Sequence, residues 1–286
     1  MSLTVETLTP TLGARVSGID LREPVSPGQL EQLRKLLVEH HALFFPGQET
    51  GPGDLVALAR HFGSIDVHAF GRHLEGQPEV GLLDQTEPRR DGANRWHTDS
   101  TFMEQPPLGS LLQAVQLPSQ GSDTCWASTI AAFEMLSPAL QETLEGLSAT
   151  HDVSGPLIRA IEGGHSIGSL EEVRAAWPQV VHPVVCRHPE TGRKLLYVNS
   201  NFTTRINELS EAESAAILHF LFEWIKQPEL QLRYRWSEGD VAFWDNRCTQ
   251  HYAVADYDER RVMHRVTIAG TWAPGGVQDA TPGRDS

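Results

Sequence analysis

Trp244-Asp245-Asn246-Arg247-Cys248-Thr249-Gln250-His251 follows a short apolar run, Val241 to Trp244, that reads as a buried strand. Arg261 lies ten residues beyond His251, near the start of a second apolar strand, Met263 to Thr271. A chain that leaves a barrel strand at His251, turns through Asp256-Tyr257-Asp258-Glu259 and returns brings Arg261 back beside the same cavity. An imidazole and a guanidinium far apart in most folds thereby become neighbours.

Outward from this stretch the chain mixes helices with many short strands, and no fixed-length repeat is visible. Leu111 to Leu117, Lys194 to Val198 and Leu232 to Trp236 read as further strands, most of them with Gly, Pro, Asn or Asp close by. Ser26-Pro27-Gly28-Gln29 reads as a helix start, with a capping serine and proline at the first helical position, and Leu30, Leu33, Leu36 and Leu37 supply an apolar face. Ala42-Leu43-Phe44-Phe45 is a short buried strand ended by Pro46-Gly47, and a second helix is expected over Asp54 to Phe62. Ser210 and Glu213 form a capping box for a helix reaching Ile225. Gly155 to Gly168, with little periodicity, reads as a long loop and a candidate lid. One domain is expected over residues 1–273, with a mobile Gly- and Pro-rich tail over 274–286.

A second stretch gives the chemistry. In Trp96-His97-Thr98-Asp99, strand geometry would project His97 and Asp99 from one face. With His251 they make two imidazoles and one carboxylate, the facial triad of non-haem iron(II), and Arg261 adds a cation placed for a dicarboxylate co-substrate. Three ligands leave three octahedral positions open, which oxygen chemistry needs and a closed structural zinc site lacks. A non-catalytic metal-binding barrel and a zinc hydrolase stay open at this point, although neither needs Arg261.

Composition bounds the partners. The 286 residues carry 23 Lys plus Arg against 37 Asp plus Glu, a net charge of −14. That excess and the lack of a long basic block disfavour nucleic acid and anionic membranes as partners, without excluding a small anion. No apolar stretch approaches the roughly 20 residues of a membrane helix, and no basic patch followed by an apolar run opens the chain. Cys125, Cys186 and Cys248 are too few and too scattered for a disulfide framework, so a soluble protein of a reducing cytoplasm is expected.

With these residues in hand, the chain resembles the taurine dioxygenase family of iron(II)- and 2-oxoglutarate-dependent oxygenases, which also includes alkylsulfatases and aryloxyalkanoate dioxygenases. The likeness runs from about Leu12 to Trp272. It includes Leu12-Gly13-Ala14 with Gly18-Ile19-Asp20-Leu21, Trp96 to Phe102, Gly121-Ser122-Asp123-Thr124, Phe202-Thr203-Thr204-Arg205, Trp244 to His251, and Arg260 to Arg265. The resemblance implies a mainly β fold, a double-stranded β-helix or jelly-roll core with flanking helices. It places Fe(II) on His97, Asp99 and His251 and the distal carboxylate of 2-oxoglutarate on Arg261 and Thr124. It further implies consumption of O2, release of succinate and CO2, hydroxylation of the substrate, and a homo-oligomer, dimer or tetramer.

The resemblance also bears on the substrate, expected to be a small organic anion. Arg265, four residues after Arg261, and His68, twenty-nine before His97, match positions that grip the sulfonate of taurine; Phe202 matches an aromatic pocket wall, and Ser100 offers a backbone amide. Where taurine dioxygenase has a tyrosine and an asparagine around the amine, this chain has Gly71 and Ala93. A buried ammonium without partners costs several kcal/mol, so taurine is not the expected substrate. An alkylsulfonate or alkyl sulfate ester is favoured, with an aryloxyalkanoate or a natural-product intermediate as alternatives.

Overall fold

The computed structural model describes residues 3–67, 71–88, 93–162 and 169–275. It is mostly β sheet, with seven α-helices among the described residues. The nine-stranded sheet runs in the order Thr4–Thr7, Ala14–Ser17, Ala42–Phe45, Val241–Asp245, Gly109–Gln116, Arg261–Ile268, Gln77–Gln85 and Arg72–Leu74, with Ile65–Asp66 pairing off Arg261–Ile268. Ala14–Ser17 and Ala42–Phe45 pair in parallel, and the other pairs are antiparallel. A second sheet has Thr124–Ser128 between Gln231–Tyr234 and Thr249–Ala253.

Side-chain alternation with period two sorts the apolar residues between two cores. Ala42, Phe44, Leu112, Ala242, Trp244 and Met263 of the large sheet pack against Trp126 and Tyr234 of the small one. Their sequence neighbours Leu43, Phe45, Leu111, Val241, Phe243 and Val266 face the opposite way, onto Leu33 and Leu37 of helix Pro27–His40 and Leu55 and Leu58 of helix Pro52–Arg60. The small sheet turns Cys125 and Ala127 outward onto helices Thr129–Glu134 and Glu211–Trp224. With Met263 pointing between the sheets, Arg261 and Arg265 share its direction. Thr124 and Trp126 likewise share one face, and Trp126 pairs with His251.

The capping boxes at Ser26/Gln29 and Ser210/Glu213 form as expected. The second helix begins at Pro52, two residues before the expected start, because Gly51 caps it and proline suits its first position. Gly155 to Gly168 is not a continuous loop. Ser154–Glu162 is helical, since Pro156 falls in the first turn, where a missing N–H costs nothing. Residues 163–168 lie outside the described residues, and a further helix, Leu170–Ala176, starts on a Ser169/Glu172 capping box. No helix among the described residues is long and apolar enough to cross a membrane. The three cysteines are buried and unpaired.

Candidate metal and co-substrate site

His97 and His251 form a single antiparallel residue pair, His97 N–H to His251 O at 3.1 Å and His251 N–H to His97 O at 2.8 Å. Exchanging both backbone bonds sets the two imidazoles side by side, their ring centres 4.2 Å apart. His97 is therefore not on a strand with Asp99. The chain enters a turn after it, Ser100 takes a left-handed conformation (φ 52), and Asp99 reaches the imidazoles from that turn. Asp99 Oδ1 lies 3.6 Å from His97 Nε2 and its Oδ2 3.7 Å from His251 Nε2. One ligand atom from each of the three converges within 4.8 Å, and all three residues are buried.

Protonation follows from the surroundings. The carbonyl of Arg95 can only accept, so His97 Nδ1, 2.7 Å away, carries the ring proton and leaves the Nε2 lone pair facing Asp99. Burial pushes His251 down to about 3 and lowers His97, so both rings are neutral at physiological pH. Burial opposes the charge on Asp99, but Arg265, with His251 and His97, outweighs it and holds the carboxyl well below the usual carboxylate range. Arg265 makes a short ion pair with Asp99 Oδ2 and a 3.0 Å hydrogen bond to Ser110 Oγ. Two neutral nitrogen donors and one ionised oxygen, converging and buried, are the protonation states a divalent transition metal requires.

Asn246 locks this turn to the segment from Trp244 to His251. Its Oδ1 accepts from the Asp99 N–H at 2.9 Å, and its Nδ2 donates to the carbonyls of Asp99 and Pro107, each at 3.1 Å. Thr98 Oγ1 adds a bond to the Thr249 carbonyl at 2.8 Å. Asp245 and Arg247 have a structural task. Arg247 grips Asp245 through two bonds of 2.9 and 2.7 Å, and His188 Nε2 lies 3.0 Å from Asp245 Oδ2. His188, Asp245 and Cys248 form a second group with metal-ligand spacing. Both oxygens of Asp245 are already taken by these N–H donors, so the group serves to hold the turn that delivers His251.

A cavity of about 120 Å³ adjoins the histidines, lined by His97, His251, Thr124, Trp126, Trp244, Tyr257, Arg261 and Arg265 among others. One water needs roughly 10–15 Å³ of such space, so a larger guest fits. Thr124 arrives there through Gly121-Ser122-Asp123. Gly121 has φ +76 and a Cβ on it would lie 2.5 Å from Asp256, whose Oδ1 accepts from the Ser122 N–H at 2.9 Å. Arg261 is 5% exposed, its Nε is buried without a hydrogen-bond partner, and burial lowers its pKa against the opposing influence of Tyr257. No carboxylate among the described residues pairs with it. Guanidinium cannot discharge by losing a proton in a protein, so a buried one without an acidic partner calls for an anionic guest.

Of the expected site residues, the structure brings together His97, Asp99, His251, Thr124, Arg261 and Arg265. Phe202 packs 5.2 Å from Phe102 in an apolar cluster with Val153, Leu157 and Val173 rather than lining this cavity. Ser100 is buried beside Asp99, and His68 lies outside the described residues. Sequence spacing missed Asn246 because it looks for ionisable ligands. The signal was an amide between Trp244 and His251, able to satisfy an N–H and two carbonyls at once. Trp236, whose indole N–H donates to Thr124 Oγ1 at 3.0 Å, left no signal.

A His-Asp-His cluster beside a buried arginine without an acidic partner among the described residues fits a non-haem iron(II), 2-oxoglutarate-dependent dioxygenase. The family model described as taurine catabolism dioxygenase TauD, TfdA family matches residues 4–267, and the chain belongs to that family. It is 38% identical over 275 residues to an alkylsulfatase of Acinetobacter baylyi, covering 94% of this chain and 85% of that protein. With an α-ketoglutarate-dependent sulfate ester dioxygenase of Pseudomonas putida it shares 34% identity over 94% of this chain and 90% of the relative. The crystal structure of a taurine dioxygenase from Burkholderia xenovorans superposes with a TM-score of 0.82 at 32% identity, covering 97% of this chain and 94% of the other. The structure of AAD-2 in complex with Mn(II) and N-oxalylglycine superposes with a TM-score of 0.82 at 28% identity, covering 96% and 100%. The enzyme accordingly uses Fe(II), 2-oxoglutarate and O2.

Proposed function

We propose that this dioxygenase hydroxylates an alkyl sulfate ester or alkylsulfonate at the carbon bearing the head group, where the product breaks down to an aldehyde and sulfate or sulfite. The observation that carries the site assignment is the cavity that His97 and His251, which cluster with Asp99, share with the unpaired guanidinium of Arg261. In this reading His97, Asp99 and His251 hold the iron. When bound, iron together with 2-oxoglutarate and O2 supplies the oxidising power for C–H hydroxylation, with succinate and CO2 as co-products.

The chain's own side chains then bind, orient and neutralise. Arg261 and Thr124 take the distal carboxylate of 2-oxoglutarate, a planar group that suits a guanidinium fork plus a hydroxyl. Arg265 sits where one cation serves Asp99 and an incoming anionic head group, with Ser100 as the residue offering an amide, His68 as a second head-group contact and Phe202 as a more distant apolar wall. Trp126 and Trp244, flanking His251, keep the site apolar and exclude water.

The choice of sulfur-containing anions rests on the alkylsulfatase and sulfate ester dioxygenase relatives and on the departures from a taurine site. Ala93 lines the cavity with His97, and Gly71 shares a recess with Arg265; neither has a side chain that can partner an ammonium. The 2,4-dichlorophenoxyacetate dioxygenase of Cupriavidus pinatubonensis, 31% identical, keeps an aryloxyalkanoate as the second reading. The two facing sheets are read as the halves of a double-stranded β-helix within one domain, and a homo-oligomer in the cytoplasm is the expected assembly. A panel of alkyl sulfates, alkylsulfonates, aryloxyalkanoates and taurine, followed by succinate release, tests the proposal. The highest kcat/KM is expected on an alkyl sulfate or sulfonate. Turnover confined to aryloxyalkanoates or to a large biosynthetic intermediate would replace it.

A further inference from the structure

We infer that Trp236 is a positioning residue for co-substrate binding, acting by setting which way the Thr124 hydroxyl donates. This rests on the reading that Thr124 and Arg261 receive the distal carboxylate of 2-oxoglutarate. Trp236 lies two residues past Tyr234, the partner of Thr124 across the small sheet. Its indole N–H donates to Thr124 Oγ1 at 3.0 Å. The ring has little freedom: Tyr234 meets it edge-on at 5.2 Å, Trp126 lies 6.0 Å away, and the residue is buried in the core between the sheets. Tyr234 is itself tied down by a 2.9 Å bond from its hydroxyl to Asp240.

The consequence follows from the donor inventory. A threonine hydroxyl has one proton and two lone pairs, whereas an indole N–H has a proton and nothing with which to accept. With Trp236 opposite, Thr124 must accept on that side, and its own proton is left for the cavity that it lines. An acceptor at the place of the indole would draw the hydroxyl proton away and turn lone pairs toward the incoming carboxylate, opposing the charge that Arg261 attracts. The indole therefore gives the pocket a hydroxyl polarised and pre-oriented to donate to an anion, with less of the ordering cost left to binding.

The test is a double-mutant cycle on 2-oxoglutarate binding, measured by anaerobic calorimetry on the Mn(II)-loaded full-length protein, beside steady-state kinetics. Trp236→Phe keeps an aromatic ring and removes the donor. One neutral hydrogen bond corresponds to roughly a fivefold change, so the dissociation constant should rise about fivefold. KM for 2-oxoglutarate should follow, with kcat and the KM of the organic substrate little changed. In a Thr124→Val background the same change should have no further effect, while in Thr124→Ser, which keeps a hydroxyl, it should persist. If Thr124→Val weakens binding and Trp236→Phe does not, or if the two effects simply add, the positioning role is overturned and the pocket reading stands. If neither alters 2-oxoglutarate affinity, the pocket reading fails and the inference with it. Should Trp236→Phe not fold, Trp236→Met, a flexible apolar filler, carries the same expectations through the same cycle.

Discussion

Replacing Asn246 by alanine should loosen the metal site more than it loosens the fold. The side chain makes three buried bonds, one from the Asp99 N–H and two to the carbonyls of Asp99 and Pro107. Removing it leaves a buried N–H unsatisfied, worth about 1–3 kcal/mol, and strips a donor from two carbonyls, so about 2–4 kcal/mol of stability should go. What sets Asn246 apart is where that loss falls. It ties the backbone of Asp99, the carboxylate of the cluster, to the strand-to-strand turn ahead of His251. Residues that hold a ligand in place typically change metal affinity 10- to 100-fold when lost. The assay is Mn(II) affinity by calorimetry beside chemical denaturation of the metal-free protein. Asn246→Asp sharpens it, because an acceptor remains for the Asp99 N–H while an anion or a protonated acid replaces the amide donor opposite two carbonyls. Metal affinity equal to wild type in Asn246→Ala, with stability lowered, would show that the amide supports the fold alone and refute the reasoning.

Arg261→Lys should raise the KM for 2-oxoglutarate roughly 10- to 100-fold in steady-state assays, since lysine keeps the charge but loses the planar fork that suits a carboxylate; an unchanged KM would remove Arg261 from the co-substrate site. The metal-free protein should lose stability as pH falls below 6.5. Burial holds His41 down to about 4 and His251 down to about 3, so the unfolded chain takes up protons that the folded one refuses. The stabilisation is complete above the unfolded value and disappears down through the folded ones, with each histidine contributing up to about 1.4 kcal/mol per pH unit. Urea titrations at pH 7 and pH 5.5 read this directly, and equal midpoints would contradict it.

The layout of the site was legible in the sequence to the extent that it depends on residue type and on period two. Three metal-ligand candidates and Arg261 stand out as ionisable groups around short apolar strands, and alternation along Arg261–Ile268 sends Arg261 and Arg265 the same way. The reason given for pairing His97 with Asp99 was another matter. Their convergence comes from a turn with Ser100 at positive φ and from the Asn246 clamp, and no local periodicity announces either. Thr124–Ser128 escaped notice as a strand, and Thr249–Ala253 was anticipated only as a strand end at His251, because polar and small residues break their apolar pattern, although each is paired in the small sheet. The stretch from Gly155 misled because glycine and proline look like punctuation, yet at a helix's first turn both are tolerated.

Net charge was a poor guide to the cavity. A chain of −14 overall brings Arg261 and Arg265 to one cavity whose lining, among the described residues, holds no carboxylate, Asp99 pairing with Arg265 from beside it, and that makes a local site for anions. The acid excess remains an argument against polyanionic partners, which contact a broad surface.

The most direct test is the stoichiometry of turnover with a medium-chain alkyl sulfate, Fe(II), 2-oxoglutarate and O2, following sulfate and succinate together. One succinate per sulfate is expected, with both lost when oxygen is removed and both abolished in His97→Ala, Asp99→Ala and His251→Ala. Sulfate released without succinate or without oxygen would identify a hydrolase, and full turnover in all three variants would place the chemistry elsewhere in the protein.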